Sequence, residues 1–300
     1  MMLSSKSTAK PAARDASREG FTLMEMLLVI AVIAIIASLL LPALAKAKSH
    51  AQSLVCLNNT KQLVLGCLMY ANEHGDHLPY NLAGNAAATN LENWAAGVLD
   101  WNLTSDNTNT LLLTEAALGS YVAKSVATYH CPSDFVLSQR QKRAGWQYRV
   151  RSYSMNASVG DAGSFSSSGV NANNPGYVQF FKLTTIPRPS DIFAFLDEHP
   201  DSIGDGYFLN KVNTRAAAAS YYNSSSYSET EWLRLPASYH NGAASFSFTD
   251  GHSEIHRWKF ASTKPPPQPD AAGLPIDISS GQDGDFNWVA QRMSILHQSN

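Results

Sequence analysis

Twenty consecutive residues, Met26 to Ala45, carry no charge, and a single carboxylate, Glu25, stands directly before them. At about 1.5 Å of rise per residue such a run makes roughly 30 Å of helix, enough to cross the hydrocarbon core of a bilayer. A carboxylate beside so apolar a run costs roughly 2.5–3.5 kcal/mol on insertion scales, so it calls for a functional reason. The preceding leader holds Lys6, Lys10, Arg14 and Arg18 against Asp15 and Glu19, while Lys46 and Lys48 follow the span. That bias predicts a single pass with a cytoplasmic N-terminus and export of the bulk of the chain. The leader itself, rich in Ser and Ala, reads as a processed segment outside the fold. A conventional secretory signal is the rival reading, because Ala43-Leu44-Ala45 is an A-x-A site that would release a soluble chain at Lys46. Its apolar region would exceed the usual length of about 7–15 residues, and it would leave Glu25 and the Gly20-Phe21 junction without a role.

Gly20-Phe21-Thr22-Leu23-Met24-Glu25, with the span behind it, resembles the class III signal of type IV prepilins and type II secretion pseudopilins. The resemblance implies cleavage after Gly20 by a prepilin peptidase that also N-methylates the new terminal Phe21. It makes Glu25 the carboxylate needed for assembly and Pro42 a helix-loosening proline. The partners it implies are homologous pilin or pseudopilin subunits and an inner-membrane assembly platform. The exported head would then lie in the periplasm or in a type II secretion pseudopilus or pilus-like filament. The alternative is a membrane-anchored surface module that binds polysaccharide or calcium and does not polymerise.

Beyond the span, Leu57, Thr60, Val64, Leu68 and Ala71 recur at helical spacing, with Lys61 and Gln62 opposite them. This predicts an amphipathic stalk continuous with the membrane helix, ended by Gly75 and Pro79, with a kink or local melting at Pro42. The resulting division is a leader over 1–20, a transmembrane helix over 21–45, a stalk over 46–74 and an extracytoplasmic head over 75–300. Within the head, Trp94 and Trp101 are candidate packing anchors, Leu111 to Ala123 a short helix, and Phe180 to Thr184 and Asp191 to Leu196 strands. The Ser- and Gly-rich stretch from Arg151 to Val170 and the Asn171 to Gly176 run read as loops. Two alternating runs, Ala243 to Thr249 and His252 to Trp258, flank Asp250-Gly251 and predict a hairpin closed by a two-residue type I′ turn. That register sets Phe246 opposite Ile255 and Phe248 opposite Ser253, on a face for the stalk helix to cover. The fold class is therefore α+β: a long N-terminal helix packed on a small antiparallel sheet, as in pilins.

The same region carries a second resemblance. His240, nine residues, then Asp250-Gly251 is similar to the His-X9-Asp-Gly segment of prepilin-like families in Verrucomicrobia and Planctomycetes. Cys56-Leu57-Asn58-Asn59, Cys131-Pro132-Ser133-Asp134 and Asp197-Glu198-His199-Pro200 fit that pattern too.

A formal net charge of −2 gives no basic footprint for nucleic acid. Three cysteines, Cys56, Cys67 and Cys131, allow a Cys56–Cys131 disulfide in an exported chain, or three buried thiols; spacing alone does not choose. His252, Glu254 and His256, two apart on one strand, are a candidate metal set, against the simpler reading of a solvated polar face. Asp197, Glu198, Asp201 and Asp205 form a candidate calcium loop, without the spacing of an EF-hand. No cofactor is required by the sequence. It contains no G-x-S-x-G, no H-E-x-x-H and no phosphate-cradling glycine loop, so it is not read as an enzyme.

Overall fold

The computed structural model describes residues 21–167, 169–212, 231–269, 274–279 and 281–297. Gly20 and the leader over 1–20 lie outside the described residues. The chain divides into two compact units, Met1–Ala47 and Lys48–Asn300.

A single helix, α1 (Leu23–Glu73), occupies the start of the described chain. It opens on a capping box. The Thr22 backbone N–H and hydroxyl donate to Glu25 Oε2 at 2.9 and 2.8 Å, and the Glu25 N–H donates back to Thr22 Oγ1 at 3.2 Å. The helix then runs through Pro42 without interruption, so the local melting expected there does not occur. It ends where Gly75 (φ 62°) and Asp76 (φ 73°) turn left-handed, with the Asp76 N–H donating to the Ala71 carbonyl at 2.8 Å.

In the second unit α1 buries Ser53, Cys56, Asn59, Thr60, Leu63, Val64, Gly66, Cys67 and Ala71. This stripe is rotated from the expected one: Leu57 and Leu68 lie half-buried at its edge, and Cys56, Leu63 and Cys67 form its centre. Gly66 permits the closest approach, since a Cβ there would meet Tyr121 Cβ and Val122 Cγ1 at 3.3 Å.

Among the described residues ten strands follow: β1 (Tyr153–Asn156), β2 (Ser166–Ser167), β3 (Val170–Asn171), β4 (Asn174–Val178), β5 (Phe193–Asp197), β6 (Tyr207–Phe208), β7 (Glu231–Trp232), β8 (Ala243–Phe248), β9 (Ser253–Arg257) and β10 (Ile276–Asp277). The main sheet has the order β6-β1-β5-β8-β9. It is mixed rather than wholly antiparallel, because β1 and β6 run parallel. Strands β1 to β4 arise in stretches expected to be loops. The Phe180 to Thr184 strand is instead a 3₁₀ turn over Leu183–Thr185, with Phe180 in an isolated bridge. The Leu111 to Ala123 helix is confined to Leu111–Thr114 and a 3₁₀ turn at Ser120–Val122.

The β8–β9 hairpin forms, but with a different turn. Of Asp250 and Gly251 only Gly251 has a positive φ, at 94°, whereas a type I′ turn needs both. The Gly251 N–H donates to the Phe248 carbonyl and the Phe248 N–H to the His252 carbonyl, so Thr249 joins the loop. The ladder moves by one residue, pairing Phe246 with Glu254 and Ser245 with Ile255. A slip of one exchanges the two faces of a strand. The stalk helix covers the Ser245 and Ser247 side of the sheet, together with Tyr153, Met155 and Phe195, and not the phenylalanine side expected for it. Phe246 and Phe248 face the opposite way, into a second core built with Phe193, Leu196, Phe208, Trp232, Trp258, Phe286, Val289 and Met293. Trp94 is fully buried in the first core, edge-on to Phe195, while Trp101 is half-buried beneath the Arg149 guanidinium.

His252 and His256 join that second face, where they stack on aromatic rings and hold no common ligand point: His252 on Phe248 and His256 on Trp288, at centroid separations of 4.3 and 3.6 Å. Burial foremost, with Arg292 and Lys259 nearby and only Asp285 opposing, lowers the His256 pKa to about 4. The unfolded chain takes up this proton near the usual histidine value, so the stability is present above about pH 6.5 and lost as pH falls toward 4. For a ring half open to solvent the loss should be about 1–2 kcal/mol. Thermal unfolding between pH 7 and 4 should show the decline, and His256→Phe should flatten it; an unchanged pH slope in the variant excludes His256 as its source.

Candidate functional site

Two constellations stand out, one at the start of α1 and one on its buried face around Cys56. At its start, Phe21 is exposed, and so are the large apolar residues of the run from Leu23 to Leu44. Among the described residues this is the one helix long and apolar enough to cross a membrane. Thr22 and Glu25 close the helix start upon themselves, so the carboxylate is a built-in N3 cap as well as the one acidic group of the first turn. The Thr22-Leu23-Met24-Glu25 spacing is a capping-box signature, which the sequence reading passed over for the carboxylate alone.

The second constellation is buried. On α1, Gln52 Nε2 donates to the Pro132 carbonyl at 2.9 Å, and Asn59 Nδ2 to the carbonyls of Ala127 and His130 at 3.1 and 3.0 Å. These bonds bring the loop bearing Cys131 over Cys56. Asp197 ends β5 opposite Tyr153 on β1, and its carbonyl accepts from the Ala237 N–H. That contact carries the chain to His240, placed by the left-handed turn of Asn241 and Gly242 before β8. The ligating atoms of Cys56, Cys131, Asp197 and His240 all lie within 4.8 Å of one another, and all four residues are buried. Both sulfurs are free thiols, so the structure juxtaposes the two cysteines without bridging them; Cys67 is a third, separate buried thiol.

Within the cluster the Cys56 thiol donates to Asp197 Oδ1 at 2.7 Å and lies 3.1 Å from the Tyr153 hydroxyl. Asp197 Oδ2 accepts from the Ser245 N–H and hydroxyl, both at 2.9 Å. His240 Nε2 is 3.5 Å from both Asp197 Oδ2 and Cys131 Sγ, while its Nδ1 has no hydrogen-bond partner among the described residues. Burial pushes the Cys56 thiol far above its usual range and raises that of Cys131. Burial works to lower His240, but the hydrogen bonds to Asp197 and Cys56 outweigh it and raise its pKa to about 10.

The other expected carboxylates do not converge on a calcium loop. Adjacent strand residues point to opposite faces, so Asp197 turns toward the thiols and Glu198 away from them. Glu198 accepts from Ser154 and Ser202 and faces Arg234 at 3.7 Å. Asp205 pairs with Arg234 at 3.0 Å and accepts from the Gly84 and Tyr207 N–H groups. Asp201 accepts from the Gln268 N–H at 2.8 Å and sits 3.7 Å from His199. Arginine, hydroxyls and backbone amides already satisfy Glu198 and Asp205, while Asp201 Oδ1 has no hydrogen-bond partner among the described residues.

His240 was singled out in the sequence only as the start of the His-X9-Asp-Gly segment. Cys56, Cys131 and Asp197 each head a quoted motif, yet nothing in the spacing joins them.

Comparison with known proteins adds two matches. The prokaryotic N-terminal methylation motif matches residues 15–41. A family described as protein of unknown function (DUF1559) matches residues 46–193. No curated protein and no solved structure matches the chain.

Proposed function

We propose, from the premise that the chain is a prepilin-type protein, that it is cleaved between Gly20 and Phe21, N-methylated on Phe21, and assembled into a type II secretion pseudopilus or pilus-like filament. The observation that carries this reading is the uncovered apolar stretch of α1, headed by Glu25 within the matched methylation motif. Among the described residues nothing covers that stretch, and two surroundings of like polarity suit it: lipid before assembly and neighbouring copies of the same helix after it. The carboxylate gives the second setting its register. Before assembly the chain is a single-pass inner-membrane protein with its N-terminus in the cytoplasm and its head in the periplasm. Its partners are the prepilin peptidase and methyltransferase, homologous subunits and the inner-membrane platform, and its role is structural rather than catalytic.

A mass spectrum of the mature N-terminus tests the first step. N-methyl-Phe21 is the expected terminus. A start at Lys46 means conventional signal cleavage and overturns the reading. Filaments sheared from cells should contain the chain, whereas a processed protein recovered solely as a membrane-bound monomer removes the polymer.

A further inference from the structure

We propose that Cys56, Cys131, Asp197 and His240 form a closed structural site for a divalent transition metal, zinc by its ligand set, fastening the stalk part of α1 to the sheet. Two sulfurs, one imidazole nitrogen and one carboxylate oxygen make a complete tetrahedral shell of the kind zinc takes in structural sites. Bond lengths of about 2.0–2.3 Å set such ligand atoms roughly 3.3–3.8 Å apart, and the four atoms here already lie within 4.8 Å of one another. Each comes from a different element: α1, the loop after the 3₁₀ turn Val126–Tyr129, the end of β5, and the loop before β8. Each is also steered there by an outer contact. Ser245 holds one Asp197 oxygen through two hydrogen bonds and leaves Oδ1 facing Cys56, the arrangement that orients a ligating carboxylate. Gln52 and Asn59 hold the Cys131 loop against the helix.

A disulfide explains this less well. It needs the two sulfurs alone, at about 2.05 Å, and supplies no reason to aim a fully buried carboxylate and an imidazole at them. A hydrogen-bonded cluster of free thiols leaves His240 poorly served, because thiols are weak donors and its Nε2 lies 3.5 Å from both Cys131 Sγ and Asp197 Oδ2. A divalent ion gives all four ligands one partner. The closed shell, with no ligand position open to water, fits a staple and not a catalytic centre. Cys67, buried on the same helix away from the cluster, is the internal control.

The test uses the full chain, purified in detergent without chelators or an affinity tag. Metal analysis should find one zinc per chain, and X-ray absorption at the zinc edge should show two sulfur and two lighter neighbours. After removal of the zinc, added cobalt alone should give the intense visible bands of a tetrahedral thiolate site. Cys56→Ser, Cys131→Ser and His240→Ala should each fall to background metal, and Cys67→Ser should keep the full equivalent. The wild-type absorption spectrum counts sulfur ligands whether or not the variants fold. A folded chain that neither carries zinc nor takes up cobalt overturns the proposal, as does metal retained by Cys56→Ser. A peptide map showing Cys56 joined to Cys131 would overturn it in favour of a disulfide. Filament assembly is read separately, so failure of the metal site leaves the prepilin-type reading standing.

Discussion

Glu25→Gln is expected to insert and to be cleaved at wild-type levels yet to form no filaments. The substitution separates the capping that the structure shows from the charge pairing proposed for the same carboxylate. As the third residue of the helix, Glu25 accepts from the Thr22 N–H and hydroxyl, and a glutamine carbonyl can accept those bonds equally well. If capping were its whole purpose, the variant would assemble. As a charge in an apolar setting, Glu25 needs a cation, and cleavage after Gly20 would create one at the Phe21 amine of each subunit. Pairing between neighbours would offset the desolvation of the carboxylate and fix the axial step between subunits, while the exposed Leu, Ile and Val residues supply most of the attraction. The amide supplies no charge, so register is lost with capping intact. Glu25→Leu should insert at least as readily and also fail to assemble, with the carboxylate half of the capping box lost as well. Shear-fraction immunoblots, with the processed pool as the control, read the outcome. Filaments of Glu25→Gln at wild-type abundance would reduce Glu25 to a capping residue.

The apolar helix at the start of the described chain was legible because local rules govern it. An uninterrupted uncharged run leaves little for tertiary structure to override. The β8–β9 hairpin was legible as a hairpin for the same reason, since alternation around Asp250-Gly251 is a local signal. Its register was not, because Asp-Gly serves both a type I′ turn and a longer loop with the glycine alone in the left-handed region. Adding Thr249 to the loop exchanged which residues of β9 share a face with Phe246 and Phe248. This one residue explains why His256 stacks on Trp288 and not beside Ser245. Strand β1 hid in a Ser-rich stretch because Tyr153, Ser154, Met155 and Asn156 are buried on both faces, which erases the alternation a half-exposed strand would show. The thiol, carboxylate and imidazole cluster was illegible for a further reason. Its members are joined by the packing of α1, β5 and two loops, and no spacing along the chain encodes that.

Arg151→Met should cost the head about 3–5 kcal/mol, the range for stripping one partner from a buried charged network. Arg151 is fully buried, and its guanidinium donates to the carbonyls of Gly204 and Gly97 at 2.7 and 3.2 Å while lying over the Trp94 ring. Burial lowers its pKa to about 10, with the nearby charges of Asp205 and Glu198 opposing that shift, so it remains a cation at neutral pH. It balances Glu198 and Asp205, two of the four carboxylates that the sequence suggested for calcium, together with Arg234, which faces both. Methionine fills much of the same volume, so little of the loss comes from a cavity; what goes is the charge and the donors to two buried carbonyls. Room for the guanidinium is kept by Gly206, at φ 82°, where an added Cβ would fall 1.8 Å from Arg151 Nη1. Gly206→Ala should therefore destabilise by the same route, through a strained backbone and a displaced arginine. Arg151→Lys, which keeps the charge and gives up the planar fork, should lie between Arg151→Met and the wild type. Denaturant unfolding followed by tryptophan fluorescence, with Trp94 beside the site, ranks the variants. If Arg151→Met unfolds at the wild-type midpoint, the two carboxylates are balanced without Arg151, and a bound cation becomes the better account of that network.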